Sequence, residues 1–286
     1  MGSGQRAGAV ILLCLALAAA TAAFYGHFGS GLGPAQDFAR LRQWITGTLG
    51  LRLPGTPDLG NLDARLAERG IATGAPVFIR IFKAESVLEL WLMKEGRFTL
   101  FASYPICRWS GGLGPKLKEG DRQAPEGVYT VDAGALNPNS RWHRSFNLGF
   151  PNLLDRAHGR TGSFLMVHGG CSSVGCFAMT DPVMDEIWRL VTAALASGQP
   201  RFQVHVFPFR MTEARLGRMA GHPWHDFWST LKSAHDIFAA DLLPPRVTVC
   251  GGAYRFTPTL QRAAWMAEIT EECPPAGPLS RNASRS

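Results

Sequence analysis

The sequence predicts an α+β fold whose strands are mainly antiparallel. Three observations carry that expectation. From residue 76 apolar residues recur with a period of two in three successive runs, the pattern of strands. After Asp181-Pro182 the apolar spacing becomes that of an amphipathic helix. Near the end, two short apolar runs flank Gly251-Gly252, a hairpin signal.

The elements follow in order. Arg6 precedes an apolar run over residues 7–25, which reads as a secretion signal or an uncleaved membrane anchor. Small residues at Ala18-x-Ala20 and Thr21-x-Ala23 offer cleavage sites, and the run is also just long enough to span a bilayer of ~30 Å. Either way the remainder is exported. Residues 26–75 read as a Gly-rich linker with two short amphipathic helices near 36–49 and 61–70. Its glycines follow an apolar segment and not a strand, so they are no phosphate loop. Strands are expected at 77–82, 87–92 and 98–101, with Lys94-Glu95-Gly96 turning the second into the third as an antiparallel meander. A further strand covers 127–131. Residues 134–160, rich in Gly, Asn and Pro, read as loop, and 163–167 as a short buried strand running into His168.

Asp181 is the expected N-cap of a helix over 181–196, with Pro182 at its first position. A strand at 202–207, helices near 211–219 and 223–240, and a hairpin of 247–249 with 254–256 complete the chain. The expected division is therefore 1–25 signal or anchor, 26–75 linker, 76–210 main domain, 211–273 helical extension with the hairpin, and 274–286 a disordered tail.

Composition narrows the function. Of 286 residues, 46% are hydrophobic and 18% charged, so a sizeable core can form. The net charge of +7 invites a nucleic-acid reading. Its distribution argues against one: there is no Lys/Arg run, and the largest excess, eight basic against five acidic residues, is spread over 108–168.

Six cysteines are present at 14, 107, 171, 176, 250 and 273. Cys14 falls in the signal or anchor, leaving an odd number in an oxidising compartment and hence at least one thiol unpaired within the chain. If that is Cys176, the other four allow three connectivities.

The densest chemistry lies in Val167-His168-Gly169-Gly170-Cys171-Ser172-Ser173-Val174-Gly175-Cys176-Phe177. A thiol needs a nearby base or positive potential to act as a nucleophile at neutral pH, and glycines let backbone N–H groups approach a developing oxyanion. Three other readings stand beside this one. His168, Cys171 and Cys176 form an H-x2-C-x4-C set for zinc, though with no usual spacing. A Cys171–Cys176 disulfide would disarm the thiol. A purely structural glycine turn is the third.

Here the sequence resembles a known family. His168-Gly169, a spacer, and Ser173-Val174-Gly175-Cys176-Phe177 are similar to the active-site motif of the L,D-transpeptidase (YkuD-type) catalytic domain, which reads His-Gly, spacer, Ser/Thr-His-Gly-Cys and an apolar residue. Upstream, Gly114-Pro115-Lys116 and Gly120-Asp121-Arg122-Gln123-Ala124-Pro125-Glu126-Gly127-Val128-Tyr129 resemble the family's Gly-Asp-x-x-Thr-Pro-x-Gly-x-Tyr signature. Asn137-Pro138-Asn139-Ser140, the run from Ser145 to Asn152, and His168-Gly169-Gly170-Cys171 resemble its YafK-like murein transpeptidase branch. The resemblance spans about residues 75–210. This chain departs from the family motif in having Val174 for the second His and a shorter His-to-Cys spacer, as that branch does.

The resemblance implies a YkuD-like β-sandwich or barrel, with Cys176 as nucleophile and His168 as general base. Gly169, Gly175 and the Cys176 backbone would supply or shape the oxyanion site, and Ser173 would brace the loop. It implies a thioester at the diaminopimelate–D-alanine bond of peptidoglycan tetrapeptide stems, in the periplasm, with no cofactor and no metal. An amine acceptor makes the enzyme a transferase; water makes it a carboxypeptidase, or an amidase releasing a wall-linked lipoprotein. Lys116, Arg122, Arg144 and Arg160 are candidates for the stem carboxylates, each weighed against a solvated surface charge. Asp121 reads as a turn residue and Asp155 as a partner for a nearby base. His143 and His158 are candidate lining residues, and Trp109 and Trp142 candidate groove walls. His222-x2-His225 lacks the Glu of a zinc protease motif and reads as structural.

Overall fold

A computed structural model describes residues 33–259 and 266–273. The expected signal or anchor, with Cys14, and the expected tail at 274–286 lie outside the described residues.

The chain is α+β. Helices α1 (Pro34–Thr48) and α2 (Leu62–Glu68) lead into strands β1 (Val77–Phe82), β2 (Val87–Lys94), β3 (Arg97–Pro105) and β4 (Gly127–Asp132). Next come β5 (Leu136–Asn137), β6 (Ser145–Asn147), helix α3 (Leu153–Ala157), β7 (Met166–His168) and β8 (Phe177–Ala178). Helix α4 (Asp181–Ala196), strand β9 (Arg201–Phe207) and helices α5 (Glu213–Gly217) and α6 (His225–Asp241) follow. The hairpin β10 (Arg246–Cys250) and β11 (Ala253–Thr257), with the short β12 (Thr270–Glu271), ends the description.

The main sheet runs β3-β2-β1-β9-β4. All its pairs are antiparallel except β1 with β9, where Ile79 faces Val204 and Ile81 faces Val206. A second sheet runs β5-β6-β7-β8 and a third β11-β10-β12. The main sheet ends in open edges, so it is not a closed barrel.

Strand β1 is buried along its whole length because both its faces are covered. Val77, Ile79 and Ile81 share one core with Val183, Met184, Ile187, Leu190 and Val191 of α4. That helical spacing turns one apolar stripe to the sheet. On the opposite face Phe82 and Phe207 pack with Trp228 and Leu231 of α6 and with Val247 and Val249 of β10. The C-terminal extension therefore closes the second face of the main sheet.

Four regions differ from the sequence reading. The expected linker is packed from α1 onward: Leu62, Leu66 and Ile71 enter the main core, Arg40 donates to the Trp109 carbonyl, and Gln43 to that of Ile106. Its glycines hid the three core residues. The expected loop at 134–160 holds β5, β6 and α3, and α3 starts with a capping box in which Asn152 and Asp155 satisfy each other's backbone N–H. The N-cap of α4 is Thr180, and Asp181 lies in the first turn, where its carboxylate is turned to the preceding loop. The strand expected at 163–167 begins only at Met166.

Candidate active site

Strands β7 and β8 build the site. They pair in parallel, Val167 with Phe177 and His168 with Ala178. Cys176 stands just before β8, level with Met166, whose N–H donates to Cys176 Sγ at 3.4 Å. The Sγ–H in turn donates to the Phe164 carbonyl at 3.5 Å. His168 ends β7, and Cys176 is the bend residue from which the chain enters β8, the strand paired with β7. Backbone pairing of Arg108 with Ala178 holds the other edge of β8.

Both groups are largely withdrawn from water: Cys176 is 8% exposed and His168 1%. His168 Nδ1 lies 2.5 Å from the Gly169 carbonyl. A carbonyl only accepts, so Nδ1 carries the proton and Nε2 keeps its lone pair. Burial pushes the imidazole below its ordinary value, with the Gly169 contact opposing. Burial also pushes the Cys176 thiol up, while the Met166 N–H and the charge of Lys116 pull it back. Both shifts favour the neutral forms, so at rest Cys176 is a thiol and His168 a neutral imidazole.

The loop between them is tied down at nearly every residue. The Gly169 N–H reaches the Arg144 carbonyl at 3.3 Å and the Gly170 N–H reaches Asp181 Oδ1 at 2.7 Å. Cys171 is in a disulfide with Cys107. The Ser173 hydroxyl donates to the Cys176 carbonyl at 2.6 Å. The Gly175 N–H donates to Ser110 Oγ at 2.6 Å. Gly169 and Gly175 thus have their N–H groups engaged. Gly175 is required sterically: its φ is +100°, and a Cβ there would lie 3.1 Å from Leu165.

The cysteines resolve as Cys107–Cys171 and Cys250–Cys273, and Cys176 is the free thiol among the described residues. Spending Cys171 in that bridge removes both the H-x2-C-x4-C zinc set and a Cys171–Cys176 disulfide.

The four basic candidates are placed differently. Lys116 is buried, with Nζ 2.5 Å from Asp121 and 2.9 Å from the Lys118 carbonyl. Its charge still acts on Cys176. Arg160 is buried in a 2.8 Å ion pair with Asp155 and lies over the Phe227 ring. Arg144 reaches Asp185 at 3.4 Å. Arg122 is exposed, and its carbonyl accepts from the Ser110 hydroxyl. Lys116 and Arg160 are therefore not solvated surface charges.

Of the lesser candidates, His143 pairs with Asp185 and His158 with the Gly252 carbonyl. His222 stacks on Trp228. Trp109 is buried, with Nε1–H on Ser86 Oγ. Half-buried Trp142 has its ring centroid 6.1 Å from that of His168 and packs on Gly170. Sequence reasoning missed Ser110, Phe164, Met166 and the loop contact of Asp181. None of these carries a local signal, because each is defined by what it meets across the fold. Phe164, 71% exposed, and Val174, 69% exposed, lie in the segments around the thiol as apolar surface.

A cavity of about 640 Å³ borders the loop at Gly170 and Cys171 and is walled by residues 47–60 and the start of α4. Neither His168 nor Cys176 lines it.

Comparison with known proteins agrees with the resemblance. A family model described as the L,D-transpeptidase catalytic domain, YkuD, matches residues 76–206. The chain is 48% identical over 181 residues to the protein named "Putative L,D-transpeptidase YafK" of Escherichia coli strain K12, covering 63% of this chain and 74% of that one. The same figures hold for its counterpart in Escherichia coli O157:H7. Among solved structures, the helical cell shape determining protein Pgp2 of Campylobacter jejuni matches with a TM-score of 0.38 at 19% identity, covering 62% of this chain and 66% of that one. A point mutant of Pgp2 gives 0.39 at 18%, and there the chain spans 62% of the solved structure's length. The assignment rests on the sequence matches: the chain belongs to the L,D-transpeptidase catalytic domain family.

Proposed function

We propose that this chain is a cysteine-dependent L,D-transpeptidase of peptidoglycan, with Cys176 as nucleophile and His168 as general base. One observation carries the reading: the free thiol stands at the entry to β8, and the strand paired with β8 ends on a histidine whose Nδ1 proton is committed to the Gly169 carbonyl, leaving the Nε2 lone pair to act.

The substrate is a tetrapeptide stem, attacked at the carbonyl joining diaminopimelate to D-alanine. His168 Nε2 takes the thiol proton as sulfur attacks, giving an imidazolium and a tetrahedral oxyanion. The tetrahedral oxyanion collapses, the C–N bond breaks, and the imidazolium returns the proton to the departing D-alanine amine. A thioester remains. An acceptor amine then attacks the thioester and gives up a proton to His168, the C–S bond breaks, and the imidazolium returns that proton to the departing Cys176 sulfur. Lys116 supports the sulfur electrostatically from its pair with Asp121. Every step uses this chain's own side chains.

The N-terminal run at 7–25 supports export to the periplasm, with the membrane met only through that segment; among the described residues no helix is long and apolar enough to cross a membrane. The functional unit is the 76–210 domain, with residues 211–273 as its extension. Partners are peptidoglycan stems.

The test is incubation of the purified chain with disaccharide tetrapeptide and mass analysis of products. Cross-linked dimer that disappears in Cys176→Ala supports the transferase. Tripeptide alone makes the enzyme a carboxypeptidase, and release of a wall-linked lipoprotein makes it an amidase. Turnover that survives Cys176→Ala overturns the reading.

A further inference from the structure

We propose that the Cys107–Cys171 disulfide is a positioning element for the catalytic histidine, so that opening the bridge uncouples His168 from Cys176. The proposal rests on the reading of those two residues as base and nucleophile.

The bridge meets the site loop at its most constrained point. Cys171 has φ +45°, the left-handed region that side chains other than Gly, Asn and Asp rarely occupy. Its N–H is held by the Met179 carbonyl at 3.3 Å, and the Met179 N–H by the His168 carbonyl at 2.7 Å. The chain therefore leaves β7 at His168, is held at Cys171 beside Met179, the residue just past β8, and from there crosses back to the start of β8 at Cys176. Between His168 and Cys171 lie only Gly169 and Gly170, which have the least intrinsic preference for any one backbone conformation. Gly169 is also the residue whose carbonyl fixes the His168 tautomer. The two glycines are held by single N–H bonds, Gly169 to the Arg144 carbonyl and Gly170 to Asp181, and by the fixing of both their ends. His168 is fixed by β7, and Cys171 by the bridge.

The other end of the bridge is equally anchored. Cys107 sits between Ile106, whose carbonyl takes the Gln43 side chain, and Arg108, whose backbone pairs with Ala178. Both sulfurs lie against Gly47 of α1, where a Cβ would collide with each of them, and against buried Leu53. The bridge thus joins three segments: α1, the 106–109 stretch that zips onto β8, and the histidine loop. Cys250–Cys273 lies on the third sheet, at the end of β10, and serves as an internal control.

Opening the bridge with a soluble dithiol breaks the S–S bond and gives two thiols, while the dithiol closes to its own disulfide. The freed Cys171 no longer enforces its left-handed conformation, the Gly169 carbonyl leaves Nδ1, and the ring loses its single tautomer.

The experiment is ¹⁵N NMR of the His168 imidazole in the full chain at a pH where it is neutral. The parent is expected to show the Nδ1–H tautomer alone. The double variant Cys107→Ser with Cys171→Ser is expected to show a tautomer mixture, while Cys250→Ser with Cys273→Ser keeps the parent signature. In the product assay the first pair should lose at least tenfold in kcat with KM within twofold of the parent. Persistence of a pure Nδ1–H signal without the bridge overturns the proposal. So does an equal change in both double variants, which reports general loosening. If the first double variant does not fold, the Cys250→Ser with Cys273→Ser variant, whose one bridge among the described residues is Cys107–Cys171, is measured before dithiol treatment, after it, and after reoxidation. A tautomer change that reverses supports the proposal, and no change overturns it. A parent without Cys176-dependent turnover defeats the functional reading alone, because the tautomer result still decides the role of the bridge.

Discussion

Ser110 Oγ accepts the Gly175 N–H at 2.6 Å, across 65 residues of chain. The same hydroxyl donates to the Arg122 carbonyl at 2.7 Å, so it is satisfied in both directions. It ties the segment after β3 to the residue before Cys176. Ser110→Ala leaves the Gly175 N–H without its partner, and a cost of about 1–2 kcal/mol in urea unfolding is expected. Turnover should fall about tenfold, since Gly175 adjoins Cys176 and loop placement limits the attack geometry. Unchanged kcat would remove Ser110 from the site.

Gly175→Ala separates two costs. The substitution meets a φ of +100° and a Leu165 methyl at 3.1 Å. Gly159→Ala meets a φ of +64° and open space. The Gly159 variant is expected to lose about 1 kcal/mol, and the Gly175 variant about 2–3 kcal/mol together with most activity. Comparison of their thermal midpoints and rates checks this; equal behaviour of the two argues against close packing around the nucleophile.

Lys116 acts on the thiol through its charge. Removing a positive neighbour disfavours the thiolate, so Lys116→Met should move the midpoint of Cys176 alkylation by iodoacetamide to higher pH. The variant also leaves Asp121 without its cation, although three backbone N–H groups still hold that carboxylate at about 3 Å. A midpoint that stays put or falls contradicts the assigned electrostatics.

His205 makes the fold sensitive to acid. It is fully buried between Phe78 and Phe207, and burial lowers its imidazole to about 3. The unfolded chain protonates this residue near its ordinary 6.5, whereas the native state resists down to about 3. The contribution is therefore intact above pH 6.5 and is lost as pH falls toward 3. At ~1.4 kcal/mol per unit the full loss is on the order of 5 kcal/mol. His205→Phe should flatten the decline in unfolding free energy between pH 6.5 and 3 by one proton's worth. It also removes the unpartnered Nδ1. A parent-like slope in the variant refutes the assignment.

The acid limb of turnover follows the same physics at His168. As the proposed base, His168 must be neutral to accept the thiol proton, and burial holds its midpoint below 6.5. The rate should rise with pH through a midpoint below 6.5 and then level off. A midpoint well above that value is inconsistent with a buried, neutral His168.

The strands of the meander were readable because alternation is local. Residues 77–82 appear at the expected ends, and β2 and β3 extend only two to four residues beyond them. The helix at 181–196 was equally clear from its apolar stripe. The pairing of β1 with β9 was not readable, since more than a hundred residues separate them and nothing in either strand names its partner. Residues 134–160 looked like loop because strands of two and three residues are too short to show a period. Lys116 and Arg160 resembled surface charges because composition does not reveal the carboxylates that accompany them into the interior.

By itself the sequence determined the α+β class and marked Cys176 and His168 as the pair to examine. It did so because side-chain periodicity and a motif within nine residues are properties of a single stretch of chain. Only the tertiary structure decided which cysteine is left free, which way the histidine carries its proton, and what holds the loop between them. Those depend on atoms brought within a few ångströms from Gly47, Cys107, Ser110 and Asp181, and distance along the chain does not encode distance in space.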